Sequence, residues 1–287
     1  MSVNGSLVDG DKAAVSVFDH GFLYGDAVYE TLRTYGGRPF LLAEHFSRLS
    51  EAAGTLGIPV PWDLAALRHE IDRALESAGG GGEWLVRIIL TRGVGALSPD
   101  PASCREPTRI IIVNPHRENP AELYRTGVDI AISTRRRDPA IASIKTGNLI
   151  HQVLGARDAT AQGVSEVIFL NADGDLSDGT RSNLCLVRGD QVLTPSENSG
   201  IVRGITRAMV MEVARSIDIA VVEGRFGPEV IADCQEAFLT STTRGIMPVT
   251  RIDGRPVGDG NVGPVTERLN DAYRAAVRQR IEAGKQP

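Results

Sequence analysis

The chain reads as an α+β protein in two domains, and three observations predict it. In the first part, short apolar and β-branched runs alternate with segments of helical spacing. A polar stretch bracketed by Pro115 and Pro120 suits neither a helix nor a central strand, so a linker is expected there. Beyond it, strand signals become denser. The expected organisation is a small α/β domain over residues 1–114, a linker over 115–120 and a larger, β-rich domain over 121–287.

Each element follows from local pattern. Residues 27–35 read as a strand ending at Gly36-Gly37, and residues 42–56 carry Leu, Phe and Ala at helical spacing before Gly57. A second helix is expected over 62–78 with Asp63 as its cap, stopped by the glycines at 79–82. Residues 84–91 and 109–114 read as apolar strands. In the second part, strands are expected over 128–133, 166–171, 183–187 and 236–240, and helices over 147–162, 206–216 and 265–283. Asp173-Gly174, Arg188-Gly189-Asp190 and Asp253-Gly254 have the chemistry of hairpin turns.

Composition narrows the function. Of 287 residues, 42% are hydrophobic and 23% charged, enough apolar side chain to bury a sizeable core. A net charge of −5 offers no general attraction to nucleic acid or anionic membranes, so small-molecule chemistry is expected. Cys104, Cys185 and Cys234 form neither a metal-ligand pattern nor a disulfide framework, which fits a reducing cytoplasm. No segment approaches the roughly 20 apolar residues of a membrane span, and no metal site is expected.

Four separated segments carry residue types suited to a phosphorylated, electron-withdrawing cofactor. Lys145 follows apolar Ile144, and a desolvated lysine amine is a nucleophile toward an aldehyde; position alone favours a surface lysine at a helix start. Gly204-Ile205-Thr206-Arg207 opens a helix, where backbone N–H groups and a hydroxyl make an anion site as well as an ordinary cap. Thr240-Ser241-Thr242-Thr243 ends an apolar strand with hydroxyls that suit the same anion or a simple turn. Asp178, in Leu176-Ser177-Asp178-Gly179, is a carboxylate able to hold a pyridine nitrogen protonated, or a turn residue. Arg135-Arg136-Arg137 reads as a solvated basic face, with contact to a substrate carboxylate or a partner subunit as the alternative, and His45 and His151 as structural histidines.

The string Phe18-Asp19-His20-Gly21-Phe22-Leu23-Tyr24-Gly25-Asp26-Ala27-Val28-Tyr29-Glu30-Thr31-Leu32-Arg33, followed by Glu44-His45-Phe46-Ser47-Arg48-Leu49, resembles the opening of fold-type IV (class IV) aminotransferases. The lysine segment, residues 163–183, 204–207, 240–249 and Ile252-Asp253-Gly254 match in the same order. The resemblance implies the two-domain fold-type IV architecture and pyridoxal 5'-phosphate as cofactor. It makes Lys145 the Schiff-base lysine and the group that moves the substrate proton. It makes Arg48, Ile205, Thr206, Ser241 and Thr242 the phosphate ligands, Val202 the packing partner of the ring, and Asp178 the partner of the ring nitrogen, where the family usually has glutamate. Tyr24, Tyr29, Arg87 and Thr243 are then substrate-binding residues.

Within the family, Arg87 and Tyr24 resemble the branched-chain members, and the apolar residues at 94–97 lack the basic groups that D-amino-acid members carry there. Ile150 and Leu85 stand where branched-chain enzymes often have tyrosines. The expected activity is amino-group exchange between a branched-chain L-amino acid and a 2-oxo acid such as 2-oxoglutarate, by a homodimer or higher homo-oligomer. A D-amino-acid transaminase and an aminodeoxychorismate lyase are the alternatives.

Overall fold

A computed structural model describes residues 1–283 of the protein; residues 284–287 lie outside the described residues. The chain divides into two units. One comprises Met1–Arg117 with Ile144–Leu149, the other Glu118–Ser143 with residues from Ile150 onward. Residues 144–149 thus belong with the first unit, which a single cut at 115–120 does not provide for.

The first unit is a six-stranded sheet in the order β2-β1-β6-β5-β3-β4. Its strands are β1 (Ser2–Val3), β2 (Ser6–Leu7), β3 (Ala27–Tyr35), β4 (Arg38–Pro39), β5 (Trp84–Thr91) and β6 (Thr108–Pro115), all antiparallel. Helices α1 (His20–Tyr24), α2 (Leu42–Leu56) and α3 (Leu64–Ser77) complete the unit. Asp63 caps α3, its side chain accepting the Ala66 N–H at 2.7 Å, and Gly57 ends α2 in the left-handed region at φ 65°. The apolar faces of α2 and α3 bury Leu49, Leu67 and Ile71 against Val28, Leu32, Val86 and Ile88. Among these, strand and helix periodicity point to one core, which is why the sequence patterns here translate directly into structure.

Residues 144–147 are held to β3. Val28 bridges Thr146, Tyr29 N–H donates to the Lys145 carbonyl at 3.1 Å, and Gly147 N–H donates to the Ala27 carbonyl at 2.7 Å. The following helix therefore begins at Ile150 rather than 147, because the backbone before it is extended and already hydrogen-bonded.

In the second unit, β7 (Val128–Arg137), β8 (Glu166–Asn171), β9 (Leu176–Gly179), β10 (Asn183–Arg188), β11 (Gln191–Pro195), β12 (Ala220–Gly224), β13 (Glu236–Ser241), β14 (Gly245–Ile252) and β15 (Arg255–Pro256) form a nine-stranded sheet. Its order is β12-β11-β10-β13-β14-β7-β8-β9, with β15 on β14. Because β9 also pairs β10, through Asp178 opposite Asn183, six strands close on themselves. Leu176, Leu184, Leu186, Leu239 and Met247 lie in the buried core of this sheet. Helices α4 (Ala121–Thr126), α5 (Pro139–Ala142), α6 (Ile150–Gln162), α7 (Ile205–Ser216) and α8 (Pro264–Ala283) accompany it. The Asp253-Gly254 turn has φ of 51° and 73°, the left-handed pair that a tight hairpin requires.

Candidate active site

In the first unit, strand alternation sorts the polar residues of β3 onto opposite faces. Tyr29 lies on one, and its ring receives two cations. Lys145 Nζ is 4.2 Å and the Arg87 guanidinium carbon 4.7 Å from the ring centroid. Lys145 is half-buried, held at its backbone by β3 and at its amine by this ring. Lys145, Tyr29 and Arg87 are thus brought together. Tyr24 lies on α1 and packs edge-on against the buried His20, ring centroids 5.0 Å apart.

On the other face, Glu30 is fully buried against α2. It accepts from His45 Nδ1 at 2.7 Å and from Arg48 Nε and Nη2 at 2.6 and 2.7 Å. Burial alone would raise the Glu30 carboxyl, but the charge of Arg48 and the hydrogen bonds from His45 and Arg48 outweigh it and bring it down to about 2. Burial holds His45 below its ordinary range; the Glu30 bond opposes this, and the charges of Arg48 and Lys145 add to it. His45 is therefore a neutral imidazole donating to an anionic carboxylate at neutral pH. Two of the five N–H donors of Arg48 are committed to Glu30, in the bidentate geometry a guanidinium favours.

In the second unit, Asp178 is buried at the pair that closes the strand ring. Its Oδ2 accepts the Val202 N–H at 2.9 Å, and its Oδ1 accepts from Arg137 Nη2. Arg137 corrects an expectation: Arg136 is exposed as a solvated basic run requires, but Arg137 is only 5% exposed. Arg137 has the parity of the buried Ala131 and Ser133 along β7, and it pairs Asn171 beyond an irregularity in which four steps along β7 oppose two along β8.

Helix α7 begins with Gly204 as its N-cap and no side-chain cap, leaving the first-turn N–H groups of Ile205 and Thr206 to other partners. A Cβ on Gly204 would lie 2.0 Å from Asn183 Oδ1, so a larger residue there would have to displace the Asn183 amide. Asn183 Nδ2 also donates to the Val202 carbonyl at 2.9 Å, which fixes the segment between Val202 and α7. Ser241, Thr242 and Thr243 form the half-buried turn after β13.

Glu166, fully buried, ties that turn to the loop after β9. It accepts from Arg244 on the turn side, and from Arg181 N–H at 2.7 Å and Ser182 Oγ at 2.9 Å on the other. Sequence reasoning missed Glu166, Arg137 and the pairing of Glu30 with Arg48. A carboxylate within an apolar strand was the available signal for Glu30 and Glu166, since a buried carboxylate needs a cationic partner. Arg137 was missed because the strand expected over 128–133 runs on to Arg137, which puts it at the parity of the buried Ala131 and Ser133.

Among the described residues, no group of three or more His, Cys, Asp or Glu is placed to hold a metal ion, and no helix is long and apolar enough to cross a membrane.

The family model for amino-transferase class IV matches residues 27–252. The chain belongs to the class IV aminotransferases. A protein of Methanocaldococcus jannaschii, provisionally named a branched-chain-amino-acid aminotransferase, is 36% identical over 277 residues, covering 95% of this chain and 94% of its own. The solved structure of a T.th. branched-chain amino acid aminotransferase with pyridoxamine 5'-phosphate superposes with a TM-score of 0.90. It is 28% identical and covers 97% of this chain and 93% of its own. A 4-amino-4-deoxychorismate lyase from Pseudomonas aeruginosa superposes at 0.84, with 31% identity and coverage of 96% and 98%.

Pyridoxal 5'-phosphate is the cofactor of this aminotransferase. The donor set of the chain fits it. A half-buried amine at Lys145 suits an aldehyde, the buried carboxylate of Asp178 suits a ring nitrogen, and the uncapped N-terminus of α7 suits a phosphate.

Proposed function

We propose that this aminotransferase exchanges the amino group of branched-chain L-amino acids with 2-oxoglutarate, with Lys145 as its catalytic residue. The observation that carries the reading is the Tyr29 ring with Lys145 Nζ at 4.2 Å and the Arg87 guanidinium at 4.7 Å. A reactive amine and a carboxylate-binding cation share one aromatic platform, as an α-amino acid requires. When bound, pyridoxal 5'-phosphate stores the amino group between half-reactions and takes up the electrons released as the α-proton leaves.

The residues of the chain divide the remaining work. Lys145 Nζ carries the proton taken from the substrate α-carbon. Arg87, with Tyr24, Tyr29 and Thr243, receives the substrate carboxylate and orients the α-carbon toward that amine. Arg48 and the N–H and hydroxyl groups of Ile205, Thr206, Ser241 and Thr242 hold the phosphate. Val202 packs against the ring, and Asp178 keeps its nitrogen protonated. The side chains of Phe22 and Leu97, 71% and 75% exposed, are apolar surface of the kind that a second copy of the chain covers, which supports a homodimer. Charge and composition support a cytoplasmic location.

The test is the initial rate across L- and D-enantiomers of aliphatic amino acids with 2-oxoglutarate. Leucine, isoleucine and valine should all react, because an apolar pocket separates neighbouring side chains by only about 1–3 kcal/mol. Faster turnover of D-alanine than of any branched L-substrate rejects the branched-chain reading. Pyruvate release from aminodeoxychorismate without an acceptor rejects the transaminase.

A further inference from the structure

Arg137 is an expensive residue to bury. Burial pulls its guanidinium down to about 10, still far above neutrality, so it enters the protein interior charged. Its guanidinium carbon lies over the Phe169 ring, 4.4 Å from the centroid, and its Nε is buried with no hydrogen-bond partner among the described residues. Nη2 makes both of its side-chain hydrogen bonds, to Asp178 Oδ1 and to Ser177 Oγ at 3.2 Å. Ser177 Oγ in turn donates to the Gly200 carbonyl at 3.0 Å, while Asp178 Oδ2 accepts the Val202 N–H at 2.9 Å. Arg137 therefore links Asp178, which itself holds the Val202 end of the Gly200–Val202 segment, to the Gly200 end through Ser177.

A buried ion pair is weak evidence for stability, since well-packed apolar residues of similar volume often serve as well or better. Orientation is what such a pair supplies and packing does not. Asp178 has one side-chain torsion fewer than glutamate, so the direction of its carboxylate is set by which oxygen each neighbour takes. Arg137 takes one and the Val202 amide the other.

We propose that Arg137 is a positioning residue that holds the Asp178 carboxylate anionic and aimed for the ring nitrogen of the cofactor. This rests on the reading of Asp178 as the partner of that nitrogen. Without Arg137, a buried carboxylate takes up a proton or turns away, and in either state it accepts poorly from a protonated ring.

The experiment uses the full-length chain, stripped of cofactor and retitrated with pyridoxal 5'-phosphate and with an analogue whose ring nitrogen is replaced by carbon. The ratio of the two dissociation constants reports the contact at the nitrogen and is insensitive to general loosening of the fold. Arg137→Met should reduce the preference for the natural cofactor by about tenfold, the scale of one charge-assisted hydrogen bond. Asp178→Asn should do the same, and Arg137→Met should add nothing in an Asp178→Asn background. Arg137→Lys keeps the charge but loses the planar fork, and it should also lower the ratio. It carries the test if Arg137→Met does not fold. An unchanged ratio in Asp178→Asn rejects the underlying reading of Asp178. A reduced ratio in Asp178→Asn with a wild-type ratio in the folded Arg137 variants rejects the role of Arg137 alone, as does an additive double variant.

Discussion

Replacing Glu30 with glutamine keeps the shape of the side chain and removes its charge. The carboxylate is fully buried and accepts three hydrogen bonds of 2.6–2.7 Å from His45 and Arg48, so the variant leaves a guanidinium, 13% exposed, facing a neutral amide. Breaking a buried pair from one side costs about 3–5 kcal/mol. A second route gives a similar figure. A carboxyl whose pKa falls from 4.5 to about 2 on folding contributes about 3 kcal/mol at neutral pH. The sign follows from the lowered folded value: the contribution is fully present above 4.5 and disappears as pH falls from there toward 2. Urea unfolding of the wild type and Glu30→Gln, at pH 7 and again near pH 3, measures it. The variant should be less stable by about 3 kcal/mol at pH 7, and the gap should shrink at the acid end. Equal stability at pH 7, or a gap that does not change with pH, refutes the reasoning.

Lys145→Ala should abolish turnover and the covalent attachment of cofactor, read by mass spectrometry after borohydride reduction; normal activity removes Lys145 from the chemistry. Arg48→Ala should weaken cofactor binding by about 1.5–3 kcal/mol, the value of a lost hydrogen bond to a charged group, and an unchanged dissociation constant on titration means that the phosphate lies elsewhere. Arg87→Ala should raise KM for the amino acid strongly while leaving cofactor affinity intact, since the guanidinium contacts the same Tyr29 ring that receives the Lys145 amine. A wild-type KM moves the carboxylate contact to another residue.

Family membership was legible in the sequence because ordered motifs over nearly the whole chain leave little room for coincidence, and the family model covers residues 27–252 of it. Local elements were equally legible. The strand Ala27–Tyr35, the helix Leu42–Leu56 and the strand Trp84–Thr91 occur over the residues expected, because apolar periodicity and glycine stops act within a few residues of themselves. The turn at Asp253-Gly254 needed nothing beyond its two residues.

Tertiary structure decided what joins distant positions. Lys145 lies against β3 because its carbonyl accepts the Tyr29 N–H and the nearby Gly147 N–H donates to the Ala27 carbonyl, more than a hundred residues away in sequence, and no periodicity marks such a pairing. A run of three arginines looks the same whether it is solvated or not, and only the extension of β7 to Arg137 and a carboxylate 41 positions later account for its inward place. Glu30 was visible within a recognisable motif, yet its bonds to His45 and Arg48 depend on α2 packing over β3. Hydrophobic pattern specifies which face of an element is buried; which charges meet there is set when the elements pack, because only then does an unpaired buried charge become too costly to leave alone.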